Sequence, residues 1–241
     1  MKQRLFTVFI TASLFAAAGF WVSGCKKDNI QTNGTNQPAF KGNSPNSLIF
    51  PVNANMYGKS YTEWAVDFWK WEIGYDCAHI FSAGPQTQPD SNVFMLSIST
   101  ASSTETIAHN KAIFLPLGAV LNDYPCPDAN FQPAPGETLE HFLVQGAIDW
   151  VDLYSNATLT IDGVTIPSVN NYKFTSGMFN FIGNPDQVNC ADPCITGTTQ
   201  QGAVSGYYVM IKPMSIGTHT IQWSIDYDGV TYTINHTINS I

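Results

Sequence analysis

The chain has 241 residues, of which 10 are lysine or arginine and 18 are aspartate or glutamate, giving a net charge of −8. Only 12% of residues are charged, whereas 44% are hydrophobic and 13% aromatic, a composition typical of a folded protein rather than a disordered one. The acidic balance, with Arg4 as the single arginine, argues against nucleic acid, nucleotide or phosphoryl-group ligands.

The amino terminus has the pattern of an export signal. A basic start at Lys2 and Arg4 precedes an apolar run over residues 5–22, and small residues follow at Ser23 and Gly24. Basic, apolar and small-residue regions in this order are typical of a secretory signal. The apolar run is also nearly long enough to span a bilayer, so an uncleaved membrane anchor is the alternative interpretation.

The segment Val22-Ser23-Gly24-Cys25 resembles the lipobox of bacterial lipoproteins. The resemblance implies a signal peptide over residues 1–24, diacylglycerol on the Cys25 sulfur and acylation of its new amino group. Two or more acyl chains hold a protein durably on a membrane. Lys26, and not Asp, follows the cysteine, which resembles the signal that sends lipoproteins of Gram-negative bacteria to the outer membrane. The sequence Cys25-Lys26-Lys27-Asp28 also resembles the start of lipoproteins in Bacteroidota-type bacteria. We therefore expect an outer-membrane lipoprotein that faces the periplasm or the cell surface.

Residues 25–47 are rich in Asn, Gln, Gly, Thr and Pro and predict a flexible tether. Residues 48–241 are numerous enough for one domain with a sizeable core. No second transmembrane segment is expected, so the predicted lipid is the expected link to the membrane.

Two helices are predicted in this domain. Ser60-Tyr61-Thr62-Glu63 fits a capping box, which predicts a helix from Tyr61 to about Ile73, ended by Gly74. Apolar residues at helical spacing predict a second helix over residues 136–151. Between the helices, residues 92–99 and 111–117 are predicted to form buried strands.

The remainder of the chain has the pattern of β-structure. Residues 157–166 predict a strand, an Asp-Gly turn and a second strand. Residues 207–212, 218–227 and 230–238 predict three more strands, two of them with the two-residue period of a half-buried sheet. Short strands with Gly and Asp turns favour a mainly β domain, an antiparallel β-sandwich or jelly roll capped by two α-helices.

Four cysteines remain once Cys25 is assigned to lipid, which suggests two disulfides in an oxidising compartment and allows three connectivities. They are Cys77, Cys126, Cys190 and Cys194. We predict the pairs Cys77–Cys126 and Cys190–Cys194, the second closing a short loop. The alternatives for Cys190 and Cys194 are a redox pair or half of a zinc site.

The stretch Tyr57-Gly58-Lys59-Ser60-Tyr61-Thr62-Glu63-Trp64 with Phe68-Trp69-Lys70-Trp71 resembles the opening of an uncharacterised family of secreted bacterial proteins. The segment from Gly206 to Met214, followed by Gly217-Thr218-His219-Thr220-Ile221, resembles the other signature of that family. The resemblance implies one domain over most of residues 57–241. It implies no activity and no functional residues.

The first predicted helix carries the candidate ligand-binding residues. Trp64, Trp69 and Trp71 lie on its apolar side, where they either pack in the core or form a platform that stacks on sugar rings. Glu72 falls in the same arc. It is either a general acid whose pKa is raised by burial, or a helix-end glutamate that reaches solvent or pairs with a lysine.

Other acidic and histidine residues have weaker patterns. Glu137 and His141 are four residues apart and could ligate one metal, and Glu140 lies in the same helical turn. No second motif supplies further ligands. The pairs Asp149/Asp152 and Asp226/Asp228 match no calcium-binding loop. A Ser/His/acid triad drawn from the five histidines stays open, although no Gly-x-Ser-x-Gly motif is present.

No known cofactor motif or complete metal-ligand set occurs, so we expect no cofactor and no metal. The leading hypothesis is a non-catalytic, membrane-anchored binding module for a glycan or an envelope protein. The alternatives are a hydrolase that uses acidic residues, Glu72 among them, on envelope polysaccharide, and a structural subunit of an envelope assembly.

Overall fold

The computed structural model describes residues 48–80, 88–90, 92–98 and 102–241. The predicted signal peptide, Cys25 and the tether therefore lie outside the described residues. Two α-helices occur in the described part of the chain, α1 over Tyr61–Glu72 and α2 over Leu139–Val151. The strands described there are β1 Val93–Met95, β2 Ser103–Ile107, β3 Ala112–Tyr124, β4 Tyr154–Ile161, β5 Val164–Thr165, β6 Lys173–Thr175, β7 Phe179–Ile182, β8 Thr199–Ile211, β9 Gly217–Tyr227 and β10 Val230–Ser240.

Helix α1 forms where its capping signal predicts. The Ser60 hydroxyl accepts a hydrogen bond from the Glu63 amide at 3.3 Å, and the Glu63 carboxylate accepts one from the Ser60 amide at 2.8 Å. These two bonds satisfy amides that the first helical turn leaves without partners. None of the helices that the structure describes is long and apolar enough to cross a membrane.

Helix α2 begins three residues later than predicted. Gly136 has a φ of +86°, which lies outside helical conformation, and Thr138 is the N-cap, accepting a hydrogen bond from the His141 amide at 3.2 Å. The helix buries Leu143, Ala147 and Val151. These residues are four apart and therefore lie on one face of the helix.

The first sheet has the order β1-β3-β8-β6, with β7 also pairing with β8. Its centre is the antiparallel pair of β3 and β8, which extends from Ile113 opposite Ile211 to Tyr124 opposite Gln201. Both strands are longer than the predicted strands 111–117 and 207–212. The added parts of both strands contain Gly, Asn, Asp and Gln, which have low strand propensity. They form strands because the added part of β3 pairs with the added part of β8.

The two helices lie on opposite faces of the first sheet. On β6, the Phe174 ring stacks on Tyr61 of α1 with centroids 4.6 Å apart, while the adjacent Lys173 pairs with Asp152 at the end of α2. Neighbouring residues of a strand point to opposite faces of a sheet. The sheet therefore separates α1 from α2.

The second sheet has the order β2-β10-β9-β4-β5 and lies on the α2 side of the first. Lys173 is opposite Tyr207, and Tyr207 is opposite Gly118, so the three share a face. A Cβ atom at Gly118 would stand 2.9 Å from side-chain atoms of Ile225 on β9 and Tyr154 on β4. Glycine thus allows the two sheets to approach closely, and the predicted mainly β sandwich with two helices is confirmed.

The turns of the second sheet match their sequence signals. Asp162 and Gly163 have φ values of +49° and +77°, and Asp228 and Gly229 have +47° and +78°. Two successive positive φ angles are the geometry of tight hairpin turns, which Asp-Gly adopts readily. Strands β4, β9 and β10 are antiparallel, as predicted.

Two parallel pairs at the sheet edges were not predicted. Strand β1 runs parallel to β3, and β2 runs parallel to β10. Strand β2 has only Ile107 as an aliphatic residue, so its sequence gives little hydrophobic signal. Its pairing with β10 extends the second sheet by one strand.

The predicted disulfide connectivity is wrong. Cys77 is bonded to Cys190, and Cys126 to Cys194, with Cα–Cα distances of 5.8 and 4.2 Å. The 3₁₀ turn Pro185–Asn189 brings Cys190 to the loop after α1, where Asp186 accepts a hydrogen bond from the Cys77 amide at 3.0 Å. Each cysteine of the 190–194 segment is therefore committed to a distant partner, which excludes both a local redox pair and a zinc half-site.

Candidate binding face

The tryptophans of α1 are mostly core residues. Trp64 and Trp69 are 0% and 6% exposed, and their indole nitrogens donate to the Met56 carbonyl at 2.9 Å and the Tyr208 hydroxyl at 3.0 Å. Trp71 is half-buried against Phe68. Because two of the three rings are enclosed, the three tryptophans do not form a platform for sugar rings.

Glu72 is the last residue of α1 and is 0% exposed. One of its carboxylate oxygens accepts a hydrogen bond from the Ser97 hydroxyl at 2.6 Å. The side chain therefore does not reach solvent. This contradicts the interpretation of Glu72 as a helix-end glutamate that extends into water. An enclosed carboxylate is also poorly placed to meet a polysaccharide substrate.

The candidate metal ligands Glu137 and His141 contact each other. Glu137 and His141 are 2.7 Å apart and His141 is exposed. In the part of the chain that the structure describes, three candidate ligand atoms converge within 4.8 Å at Asp123, Asp192 and Cys194 alone. The Cys194 sulfur is already in a disulfide, so this group offers two carboxylates.

The two candidate calcium pairs lie at the end of α2 and at the end of β9. Asp149 accepts a hydrogen bond from Gln145 at 2.7 Å, and Asp152 pairs with Lys173. Asp226 lies on β9, whereas Asp228 lies in the turn that follows. The carboxylates of Asp149, Asp152 and Asp226 thus have local hydrogen-bond or ion-pair partners.

One histidine has the neighbours of a catalytic triad but not its geometry. His219 Nδ1 is 2.6 Å from Asp162, and His219 Nε2 is 3.5 Å from the Ser215 hydroxyl. The same Nε2 is only 2.8 Å from the Ser215 carbonyl oxygen, and the side chain is almost fully buried. A nitrogen that faces a carbonyl donates a proton and cannot take one from serine. His219 therefore fastens the 162–163 turn to the β8–β9 loop.

A second buried histidine lies within the second sheet. His236 Nε2 accepts a hydrogen bond from the Trp223 indole at 3.2 Å, and Nδ1 is 2.9 Å from the Ser103 hydroxyl. Burial lowers the pKa of His236 to about 4. The ring is neutral near pH 7, and we assign it a role in packing.

A pair of acidic residues that sequence reasoning missed adjoins the Cys126–Cys194 disulfide. Burial raises the pKa of Asp123 well above its usual range, and the charge of the neighbouring Asp192 adds to the increase. Burial also raises the pKa of Asp192. Gln200 holds the pair in place by donating to Asp123 at 3.1 Å and to the Cys194 carbonyl at 2.7 Å.

The sequence does contain a signal for this pair. Each acid precedes a Pro-Cys dipeptide, in Asp123-Tyr124-Pro125-Cys126 and in Asp192-Pro193-Cys194. A correct disulfide assignment would have brought the two acids together. The error in connectivity therefore concealed the acidic pair as well.

The outer face of the second sheet is a regular surface formed by the described residues. On β9, buried Ile221 and Trp223 alternate with outward Gln222 and Ser224. Strands β2, β4 and β10 alternate in the same way. We call their outward side chains the polar face: Thr104, Thr106, Thr158, Thr160, Thr218, Thr220, Gln222, Ser224, Thr233, Asn235, Thr237 and Asn239.

The register of the sheet places these side chains in rows across the strands. Thr104, Thr237 and Thr220 lie side by side on β2, β10 and β9. Given the strand spacing of a sheet, the polar face measures roughly 14 Å across four strands and roughly 20 Å along them. Such an area is large enough to contact an extended polymer.

Hydrogen bonds between strands order much of the polar face. Three of them join its members in pairs: Thr158 with Ser224 (2.7 Å), Gln222 with Asn235 (2.9 Å) and Thr218 with Asn239 (3.1 Å). Cross-strand pairs of this kind also stabilise a sheet. The amides and hydroxyls are therefore held in position before any ligand arrives.

The polar face is electrically neutral and its charged neighbours are acidic. Strands β2, β4, β5, β9 and β10 contain no lysine or arginine. Asp162 lies near one end, where it accepts a hydrogen bond from the Thr220 amide at 2.7 Å. Asp226 lies near the other, and hydrogen bonds from Asn156 and Thr231 lower its pKa. Phosphate, sulfate and carboxylate groups would find no cation here.

Comparisons with known proteins place no functional constraint on this surface. No family model and no curated protein matches the chain. Among solved structures, the solution structure of amebosin matches 66% of this chain and all of amebosin, with 12% sequence identity and a TM-score of 0.23. Similarity this low supports no argument about fold or function.

Proposed function

We propose that this chain is an exported lipoprotein, cleaved before Cys25 and held on the outer membrane by lipid, whose domain is a non-catalytic module that binds a neutral glycan. The signal pattern over residues 1–24 supports export. Two disulfides support an oxidising compartment, since such bonds persist mainly outside the cytoplasm. The polar face is the observation that supports glycan binding.

The chemistry of the polar face suits sugar hydroxyl groups. Its threonine, asparagine and glutamine side chains offer both donors and acceptors, and hydroxyl groups of sugars need both. The existing cross-strand pairs hold these side chains still, so little conformational entropy is lost on binding. A neutral ligand also avoids the repulsion that acidic Asp162 and Asp226 would impose on an anion.

A protein partner fits the polar face less well. The centres of protein–protein interfaces are enriched in aromatic residues, methionine and arginine, and are poor in serine. None of the twelve side chains of the polar face is aromatic, sulfur-containing or charged. We therefore favour a glycan over a protein as the ligand.

The positions of the acids that the structure describes support a non-catalytic role. A glycosidase needs two carboxyl groups on either side of a sugar bond. Glu72 is enclosed, and Asp123 is buried beside Asp192 and held by Gln200. The twelve side chains of the polar face include no carboxylate, and Asp226, on the same side of β9, is a single acid at one end of it.

A glycan array probed with the folded chain tests the binding proposal. Asn235→Ala removes one member of a pair on the polar face, whereas Asn180→Ala removes an exposed asparagine from β7 of the first sheet. We expect Asn235→Ala to weaken binding by about tenfold, because a lost hydrogen bond is worth about 1 kcal/mol and its partner loses order. Equal effects of the two variants, or no bound neutral glycan, would contradict the proposal.

Cell fractionation tests the anchoring part separately. The wild-type protein should sediment with the outer membrane and resist extraction with salt. Cys25→Ser removes the sulfur that would carry lipid, so this variant should appear in soluble extracts or remain unprocessed in the inner membrane. Outer-membrane association of the variant equal to that of the wild type would contradict lipid anchoring.

A further inference from the structure

Residues 48–50, the first described residues, pair with the end of β8 in the first sheet. Leu48 accepts a hydrogen bond from the Lys212 amide at 2.9 Å, and the Phe50 amide donates to the Met210 carbonyl at 2.9 Å. Ile49 bridges to Ile211 next to the end of β8. Because residues 25–47 lead to this point, it is the part of the domain closest along the chain to the predicted lipid on Cys25.

A tight hairpin beside this junction presents a tyrosine to solvent. The backbones of Met56 and Lys59 pair with each other, and Tyr57 and Gly58 at its tip have φ values of +52° and +84°. Tyr57 is 43% exposed, and Val52 before the hairpin is 40% exposed. The Tyr57 ring packs edge-on against Phe50 with centroids 6.3 Å apart.

Three of the five lysines of residues 48–241 lie around this junction. Lys212 Nζ is 5.6 Å from the centre of the Phe50 ring, and Lys59 Nζ is 4.5 Å from that of Trp64. Lys111 immediately precedes Ala112, the first residue of β3. We call Val52, Tyr57, Lys59, Lys111 and Lys212 the lysine–tyrosine surface.

Acidic residues near the lysine–tyrosine surface offset its charge. Asp67 pairs with Lys59 at 2.7 Å, and burial, together with the charge of nearby Asp90, raises the pKa of Tyr57. Glu63 is a third acid near Lys59, since hydrogen bonds from Ser60 and the charge of Lys59 lower its pKa. Three acids therefore balance the three lysines and leave the surface close to neutral. Residues 48–241 as a whole contain 17 acids and five lysines, so elsewhere the domain is strongly acidic.

We propose that the lysine–tyrosine surface rests on the anionic lipid surface of the membrane that anchors the chain. This inference relies on the lipid anchor of the proposed function. Tyrosine suits the boundary between lipid headgroups and acyl chains, since its ring is apolar and its hydroxyl is polar. Lysines are attracted to anionic lipids, while the acidic remainder of the domain is repelled.

The tether makes even a weak contact effective. The 22 residues between Cys25 and Leu48 reach at most about 80 Å when fully extended, so lipid on Cys25 would confine the domain within this distance of the membrane. Confinement within this distance gives the domain a high effective concentration at the lipid surface. A surface of three lysines and one tyrosine can then set the orientation of the domain.

Lysine reactivity in vesicles tests this orientation. The lipidated full chain is placed in phosphatidylcholine vesicles with and without phosphatidylglycerol and treated with a water-soluble acylating reagent. We expect Lys59, Lys111 and Lys212 to react about fivefold more slowly with the anionic lipid present, because each lysine gains attraction near an anionic surface. Exposed Lys70 and half-buried Lys173 are internal controls and should keep their rates.

A variant with matched folding sharpens the test. Tyr57→Ser and Val52→Ser together change exposed side chains and should reduce the protection of Lys212 without lowering the melting temperature. Equal rates for all five lysines, in a chain that is stably held by the vesicles, would overturn the orientation and leave the anchor intact. A chain that vesicles fail to retain would overturn the anchor, and this inference with it.

Discussion

The two sheets of the domain bury their strands differently. In the first sheet, nearly every residue of β3 and β8 is buried, because α1 covers one face while α2 and the second sheet cover the other. In the second sheet, β9 and β10 alternate between buried and outward residues. Both disulfides join segments next to the first sheet, and the polar face belongs entirely to the second.

This difference suggests a division of roles between the sheets. Most side chains of β3 and β8 are enclosed, so changes there should alter the free energy of unfolding. Side chains of the polar face point outward and contact cross-strand neighbours, so changes there should alter binding with little effect on stability.

Trp64→Ala should have the largest effect on stability. The indole is fully buried and bonded to the Met56 carbonyl, so its removal leaves a large cavity and an unpaired acceptor. We expect a loss of about 3–5 kcal/mol in the free energy of unfolding, measured by urea denaturation. Thr220→Ala on the polar face is the control and should change it by less than about 0.5 kcal/mol. Similar losses in both variants would contradict the division of roles.

Removing a disulfide should rank next. The Cys77–Cys190 and Cys126–Cys194 bonds close segments with sequence separations of 113 and 68 residues. Replacing either pair with serine should cost about 2–5 kcal/mol, because the unfolded chain regains freedom. Thermal denaturation of both double variants measures the loss. An unchanged melting temperature in either variant would show that its bond does not hold the domain together.

His236 should make the second sheet sensitive to acid. Its folded pKa is about 4, while an unfolded histidine titrates near 6.5. As pH falls from 6.5 to 4, the unfolded chain therefore binds a proton that the folded chain does not, and stability decreases by at most about 3 kcal/mol. Urea denaturation at pH 7 and pH 4.5 should show a smaller decrease for His236→Gln than for the wild type. Equal decreases would contradict this assignment.

Asp123 should affect the pH dependence of stability in the opposite direction, and Asp123→Asn should remove this effect. Burial raises the pKa of Asp123, so the folded state holds a proton that the unfolded chain releases, and stability falls as pH rises above the unfolded value near 3.9. Asparagine cannot ionise and can still donate to Asp192. The variant should melt at a higher temperature than the wild type at pH 8 and at the same temperature near pH 3. A less stable variant at pH 8 would show that the ionised carboxylate is required.

Local signals in the sequence predicted most of the fold. The capping box at Ser60 and Glu63 predicted the start of α1, and the Asp-Gly turns at 162–163 and 228–229 predicted the hairpins of the second sheet. The two-residue period of β9 also implied a solvent-facing side of the sheet, from which the polar face could have been identified. These features depend on neighbouring residues alone.

Features that depend on distant contacts were missed. The disulfide partners of Cys190 and Cys194 depend on where α1 and β3 end in space, which local sequence does not specify. The pairing of Asp123 with Asp192 depends on the same geometry. Strand β2 depends on β10, more than 100 residues later in the chain, to which it is parallel. Such pairings follow from tertiary packing rather than from local propensity.

The intact mass of the protein isolated from the cells that produce it tests the central claim most directly. The account predicts a chain that begins at Cys25, carries the added mass of diacylglycerol and an amide-linked acyl chain, and lacks four hydrogens because of its two disulfides. A chain that still contains Met1, or one that begins later than Cys25 and has no acyl mass, would contradict it.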